Sequence, residues 1–356
     1  MTEFAGYEMP VWYSSTTEEH LAVRNGSGIF DVSHMGRVSI SGPKATSFLE
    51  SLVPTKVATQ PIGKAFYSLL LSDHGGIIDD LIVMRLAEDA YLVVVNAANT
   101  KTDLEHMAAL SPGEGSGMEE LTGSSAMIAV QGPKASESLQ PLTDLDLGQL
   151  RRFRCTKSKV LGVDSLISRT GYTGEDGFEV ILYGQTEENP QGALRVWNEL
   201  IKTSVPCGLA SRDSLRLEAG FPLHGMDIDQ KTNPFEADLP WVVSAGKEGF
   251  VGEERVREAA SQNPKSIRRG MVLDRGIPRH GFEVLGMSGK VGEVTSGTFS
   301  PILKRGIAQC RVEFDLSEYG TEVKVMVRDS SSPGVITKPP FYDEQAYGWK
   351  RRSNGK

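Results

Sequence analysis

Cysteine is scarce in this chain of 356 residues: Cys155, Cys207 and Cys310 are three in number and widely separated. An odd, sparse set argues against a disulfide frame and against a zinc site, and it suits the reduced thiols of a cytoplasmic-type compartment. A basic excess is also missing, because 46 acidic residues outnumber 38 Lys and Arg to leave a net charge of −8. Nucleic acid is therefore not expected as the main partner, since phosphate binding wants a basic face. No apolar run approaches the ~20 residues that would span a bilayer. The start, MTEFAGYEMPVWY, lacks the basic opening and long apolar stretch of a signal peptide. There is no GxSxG elbow, no P-loop and no GxGxxG opening a βαβ unit. Metal binding is not expected, as no His or Cys pair stands at ligand spacing.

What remains is a soluble-type composition, 39% hydrophobic and 24% charged, in a chain long enough for roughly two or three domains. An internal repeat organises its first part. VSISGPKATSFLESL from Val38 is echoed by AMIAVQGPKASESLQPL from Ala126. In both, a β-type run meets Gly-Pro-Lys-Ala and then a helical pattern, with glycine freeing the strand exit and proline suiting the first helical turn. The pattern predicts two related α+β units. Between the copies, FYSLLL, IIDDLIVMRL and YLVVVNA read as an antiparallel meander with turns at Asp73–Gly76 and Glu88–Asp89. Helices are expected over TDLEHMAAL, around Trp197, over SRDSLRLEAG (Ser211 as N-cap, Gly220 as stop) and over Glu253–Gln262. From Ile267, short β-runs separated by Gly, Pro and Ser turns predict a small barrel or sandwich, with a boundary near residue 264. The terminal KRRSNGK reads as a frayed basic tail.

Four places could carry chemistry. The stretch RTGYTGEDGFEV from Arg169 is a glycine-rich turn feeding an apolar strand, Phe178–Leu182, interrupted by one charge, Glu179. A carboxylate there costs several kcal/mol unless something meets it. Either a ligand or a buried ion pair with an Arg fits. Asp103 follows the YLVVVNA strand. Thr100-x-x-Asp103 fits a capping box, while a strand end opening into a helix is also where ligand-facing groups stand. Arg212, at the start of its expected helix, opposes the helix dipole and asks for an anionic partner, either a ligand or an acid such as Glu218. His34 and His224 lie among small and apolar residues and are expected to be satisfied structural histidines. Asp79 and Asp80 are expected to be local hydrogen-bonding acids beside a turn.

Several blocks in one order resemble the T-protein family of the glycine cleavage system: FAGYEMPVWY, EHLAVRNGSGIFDVSHMG, GGIIDDLIV, YLVVVNAAN, RTGYTGEDGFEV, SRDSLRLEAGFPLHGMDID, TNPFEADLPWVV and GEVTSGTFSPIL. The resemblance runs nearly end to end. It implies a multi-domain α+β cloverleaf, with a duplicated folate-binding region over residues 1–250 and a C-terminal β-barrel over 265–347. It implies aminomethyltransferase activity: an aminomethyl group arrives on the lipoyl arm of H-protein, its methylene passes to tetrahydrofolate, and ammonia leaves. P-protein and L-protein would be functional partners, and the location would be cytoplasmic, or the mitochondrial matrix in a eukaryote. On the family's pattern the functional acid is Asp103. The pterin-binding acid is Glu179, joined by Arg212, by Tyr172 and by a C-terminal tyrosine, Tyr347 or else Tyr342. One carboxylate can accept the adjacent ring N–H and amino group of a pterin. The resemblance also extends to folate-dependent demethylases of small sulfonium or amine compounds. A third branch, linked to iron–sulfur maintenance, carries a KGCYxGQE-type segment where this chain has KEGFVGEE from Lys247, without the cysteine.

Overall fold

The computed structural model describes residues 1–327 and 330–351. The chain opens with a small hairpin of β1 (Thr2–Phe4) and β2 (Tyr7–Met9), followed by α1 (Thr16–Asn25) and β3 (Gly28–Asp31). The first repeat unit then runs β4 (Gly36–Ser41), α2 (Ala45–Leu52), the meander β5 (Ala65–Leu71), β6 (Ile77–Ala87) and β7 (Ala90–Val95), α3 (Thr100–Leu110) and β8 (Gly117–Glu120). The second runs β9 (Ser125–Gln131), α4 (Ala135–Leu139), the meander β10 (Cys155–Val160), β11 (Val163–Ser168) and β12 (Gly177–Tyr183), α5 (Gln191–Leu200) and β13 (Val205–Pro206).

The duplication holds at the level of single hydrogen bonds. One sheet has the order β5-β6-β7-β4-β8 and the other β10-β11-β12-β9-β3-β13. In each, a three-stranded meander is followed by the strand that leads into Gly-Pro-Lys-Ala. Beside β9, β3 takes the antiparallel place that β8 takes beside β4, and the second sheet adds β13, parallel to β3. Gly42 and Gly132 take φ of +114° and +125°, a region open to glycine. Their amides donate to Asp89 O and Asp176 O, the turn residues that precede β7 and β12. Lys44 N and Lys134 N donate to Gly115 O and Gly26 O. The amides of both GPK turns are thus consumed inside the protein.

After β13 comes α6 (Leu209–Ala219), which begins two residues before the expected N-cap Ser211. Tertiary contacts set that start: Glu19 of α1 accepts from Gly208 N at 2.8 Å and from the Ser211 hydroxyl at 3.0 Å. Leu209 N and Ala210 N donate to Pro10 O and Val11 O. Arg212 is therefore the fourth helical residue, not the first. Gly220 ends the helix in the left-handed conformation, φ +82°, as expected.

The charged helix α7 (Glu253–Ala260) precedes a closed antiparallel barrel of β14 (Ser266–Leu273), β15 (Glu283–Gly286), β16 (Gly289–Ser300), β17 (Arg305–Glu313), β18 (Glu322–Val327) and β19 (Ser330–Thr337). The last of these is the strand least marked in the sequence. Its SSSPGVIT run carries a proline and three serines, so it lacks the apolar density that marks the other strands. Of the basic tail, Lys350 and Arg351 are described and the rest lies outside the described residues. Arg351 is not frayed: it donates to Arg24 O at 2.9 Å and pairs with Glu175 at 2.5 Å.

A buried ionic cluster joins these parts. Glu218 of α6 accepts from His20 Nε2 at 2.9 Å, from Arg24 Nε at 3.0 Å and from the Ser300 hydroxyl of the barrel. Arg24 also pairs with Glu175 at 3.1 Å. His20, Arg24, Glu218 and Ser300 are all fully enclosed. Burial by itself would raise the Glu218 carboxyl, but His20, Arg24 and Ser300 together hold it below its ordinary range.

Candidate functional site

Tyr67, Asp80, Tyr172, Glu179 and Arg212 each keep partial contact with solvent, yet burial is the largest influence on the titration of every one. They also act on one another, Asp80 on Tyr67 and Tyr172, and Arg212 on Tyr172 and Glu179. They are therefore the candidate lining of one cleft, drawn from β5 and β6 of one sheet, β12 and the turn before it from the other, and α6.

On its second-unit side, the Glu179 Oε2 accepts from the Thr170 hydroxyl at 2.5 Å. Burial raises its pKa, while Thr170 and the charge of Arg212 pull the other way. Arg212 holds its guanidinium 5.0 Å over the Tyr172 ring. Among the described residues it forms neither an ion pair nor a side-chain hydrogen bond; the neighbouring Arg216 takes Asp213 and Asp227 instead. Neither ion pair considered from the sequence forms, so Glu179 and Arg212 both reach the cleft with hydrogen-bonding capacity unspent. Tyr172 stacks on Phe221 at 5.8 Å and donates to Pro222 O, which fixes its ring beneath Arg212.

On the first-unit side, the expectation for Asp79 and Asp80 needs correcting. They lie in strand β6 and not in the turn before it, because the Gly75-Gly76 turn closes earlier, with Gly75 N donating to Ser72 O. Asp79 is fully enclosed and accepts from Asn96 N at 2.9 Å, Asn96 Nδ2 at 2.9 Å and Asn99 Nδ2 at 2.6 Å. Asp80 accepts from Asn96 Nδ2 at 2.9 Å. Burial, and then the charge of Asp79, push the Asp80 carboxyl up to about 7. The charge of Asp80 reaches both Tyr67 and Tyr172, which ties it to the Arg212 side of the cleft. Tyr67 packs on Trp241 at 5.5 Å, and its hydroxyl is buried without a partner.

Asp103, the functional acid on the family's pattern, lies in the first turn of α3. It has no exposed surface, and both of its oxygens lack a donor. Burial, then the charge of Asp79, a proton shared with the Asp79 carboxylate and the charge of Asp80 push its pKa up to about 10, so a protonated Asp103 has Asp79 as its acceptor. It does not cap its own helix, since Thr100 gives its hydroxyl to Asn96 O. Asp79, Asp80 and Asp103 thus form one interacting group of acids, of which Asp80 is the member that keeps contact with solvent.

His224 is satisfied, as expected. Its Nδ1 accepts from Asn99 Nδ2 at 2.8 Å and its Nε2 donates to Ile77 O at 3.1 Å. His34 is not. It is 4% exposed with an unpartnered Nδ1, a departure from the expectation that it would be a satisfied structural group. The C-terminal tyrosines separate. Tyr342 is buried under Arg24 at 4.5 Å and belongs to the ionic cluster. Tyr347 keeps solvent contact on the segment whose Trp349 N donates to Gly174 O at 3.0 Å, beside the glycine-rich turn. Among the described residues no group of His, Cys, Asp and Glu is arranged to hold a metal.

Residues 1–247 match the family described as GCVT N-terminal domain, and residues 268–343 match the glycine cleavage T-protein C-terminal barrel domain. The chain is 43% identical over 344 residues to the aminomethyltransferase of Thermus thermophilus, covering 96% of this chain and 94% of that protein. It is 40% identical over 348 residues to the aminomethyltransferase of Thermotoga maritima, covering 96% and 93%. The crystal structure of glycine cleavage system aminomethyltransferase T from Bartonella henselae superposes with a TM-score of 0.90 at 35% identity, covering 98% of this chain and 95% of that one.

Proposed function

The chain belongs to the glycine cleavage T-protein family of aminomethyltransferases, and from that premise we propose that it transfers the methylene of an aminomethyl group from lipoylated H-protein to tetrahydrofolate. The observation that carries this is the unspent capacity of Glu179 and Arg212, two opposite charges that share a cleft without pairing. A reduced pterin supplies what Glu179 lacks, because its ring N–H and amino group form a donor pair for one carboxylate. Arg212 faces the same ligand with free N–H groups. Tyr172 offers an aromatic face beneath it, and Tyr347, which keeps solvent contact where Tyr342 does not, is the C-terminal tyrosine we assign to the ligand.

The chemistry asks for an anion opposite this site. As the aminomethyl carbon loses its bonds to sulfur and nitrogen, it passes through an iminium-like cation. A fixed carboxylate stabilises such a charge as it develops. We assign this role to Asp80, the acid of the Asp79, Asp80 and Asp103 group that keeps contact with solvent. The two folate N–H groups that become N–C bonds give up two protons, one returning to the dihydrolipoyl sulfur and one leaving with ammonia. With a pKa near 7, Asp80 is matched to carry such a proton between them. Asn96 holds Asp80 by a hydrogen bond and is itself fixed on Asp79, which Asn99 ties to His224.

Reconstitution tests the proposal: aminomethylated H-protein and tetrahydrofolate are supplied together, and ammonia and methylene-tetrahydrofolate are measured. Both products should appear in equal amounts. Methyl transfer from dimethylsulfoniopropionate or dimethylglycine, with no product from the lipoyl substrate, would move the chain to the demethylase branch.

A further inference from the structure

Trp241 is 64% exposed. A single exposed apolar side chain is ordinary on a protein surface, but this one is held rigidly and adjoins the cleft. It lies in the short 3-10 turn Pro240–Val242, where Val242 N donates to Leu239 O at 3.1 Å and Val243 N to Pro240 O at 3.2 Å. Val242 is buried with Leu69 and Leu71 of β5, and its carbonyl accepts from the Thr55 hydroxyl at 2.9 Å. Thr55 in turn shares a hydrogen bond with the Ser68 hydroxyl at 2.8 Å. The turn is thus pinned to β5 on both sides of the indole. The indole itself packs on Tyr67, with ring centroids 5.5 Å apart and planes inclined at 34°. In the β5–β6 pair, Tyr67 stands opposite Ile82 and Leu69 opposite Asp80. Paired residues share a sheet face, so Tyr67 and Asp80 are diagonal neighbours on one face, a separation that an aromatic side chain spans. The Tyr67 hydroxyl is buried while its ring keeps solvent contact. Trp241, Tyr67 and Asp80 therefore form one line from solvent inward.

We propose that Trp241 receives the lipoyl arm of the donor, its indole lying along the arm as the aminomethyl carbon is brought to Asp80. This rests on the function proposed above. The pterin is assigned to Glu179, Arg212 and Tyr172, so the carbon donor approaches from the opposite side, where Asp80 stands and Tyr67 and Trp241 lead back to solvent. The arm is a flexible, uncharged chain of methylenes and amide that ends in sulfur. No ion pair can hold such a chain. A fixed aromatic face can, by removing apolar surface from water and by meeting sulfur favourably at the ring. Because the indole is already fixed, the ordering cost on docking falls on the arm alone.

The test combines kinetics and binding on the full chain for wild type, Trp241→Ala and Trp241→Phe. With aminomethylated H-protein as the varied substrate, KM should rise about tenfold in Trp241→Ala, the scale of losing one aromatic anchor. Trp241→Phe keeps an aromatic face and should recover most of that loss. Turnover at saturation, and tetrahydrofolate affinity by calorimetry, should stay within a few-fold of wild type in both. Separately, dihydrolipoamide is titrated and the tryptophan emission of Trp241→Phe is subtracted from that of wild type. The difference should shift saturably to the blue as the indole leaves water. An unchanged KM in Trp241→Ala, or no emission shift, would overturn the proposal. So would a fall in tetrahydrofolate affinity with KM intact, which would give the ring to the benzoyl group of the folate. If wild type does not turn over the lipoyl substrate, the proposed function fails, and the emission titration still decides Trp241 by itself.

Discussion

Arg212 lies 5.0 Å over the ring of Tyr172 and, among the described residues, pairs with no carboxylate, although Glu179 faces the same cleft. A pair of buried opposite charges that do not meet is costly in isolation. The arrangement becomes favourable once a ligand with donors on one edge and acceptors on another lies between them. Removing either group should therefore weaken ligand more than it weakens the fold. Glu179→Ala and Arg212→Ala are each expected to lose about 1.5–3 kcal/mol of tetrahydrofolate affinity, the range for hydrogen bonds to charged groups. Calorimetry on variants with native circular dichroism checks this. If both bind as wild type does, the two residues are structural.

The two acids of the first unit should behave oppositely. Asp80→Asn removes the charge that faces the cationic intermediate, and turnover should drop at least ~100-fold with folate affinity less affected. Asp103→Asn replaces a protonated, enclosed carboxyl by a neutral group of the same shape, so turnover should stay within a few-fold of wild type. Rates with aminomethylated H-protein decide between them. A collapse in Asp103→Asn alongside an active Asp80→Asn would restore Asp103 as the functional acid.

The same two residues predict how stability varies with pH. Their folded pKa values, about 7 for Asp80 and about 10 for Asp103, stand above the ~3.9 of an unfolded aspartate. The folded state therefore binds more protons than the unfolded state above pH ~4, up to about 7 for one residue and about 10 for the other. Stability falls as pH rises through those windows. Asp103→Asn does not titrate, so its advantage over wild type should grow with pH by up to about 1.4 kcal/mol per unit. Urea midpoints taken between about pH 5 and pH 9 measure this, and parallel curves would show that Asp103 is ionised in the fold. Turnover should meanwhile show an acid limb near pH 7, as Asp80 must lose its proton to meet a cation.

Much of the architecture was legible because it is written locally. The two GPKA blocks announce strand, left-handed glycine and helix in one short segment, and the two sheets repeat that unit bond for bond. Glu179 was legible for a similar reason, as a charge in an apolar strand calls for a partner, whether ligand or ion pair. Asp80 was hidden because two groups with which it interacts electrostatically, Tyr172 and His224, lie roughly 90 to 140 residues away, so adjacency to a glycine turn gave it a plausible local role. The start of α6 was misplaced for the same cause. Ser211 looks like a cap, yet the group that satisfies Gly208 N is the Glu19 carboxylate, nearly the whole folate region earlier in the chain.

The twin glycines give the sharpest test of the duplication as a physical constraint. At Gly132 a Cβ would stand 2.4 Å from Gly26 O and 2.6 Å from Val23 O, both backbone atoms that cannot swing aside. At Gly42 the nearest atom is Gly115 O at 2.8 Å. Both positions also hold φ beyond +110°, which costs a side chain of order 1–3 kcal/mol before any clash. Gly132→Ala should therefore destabilise more than Gly42→Ala, because Val23 and Gly26 bound α1, whose Arg24 anchors the Glu218 cluster, whereas Gly115 lies in an exposed loop that can yield. We expect roughly 3 kcal/mol or more for Gly132→Ala and about 1–3 kcal/mol for Gly42→Ala in chemical denaturation. A tolerant Gly132→Ala would mean that the α1 end moves freely, and with it the claim that the second GPK turn is locked against that helix would fail.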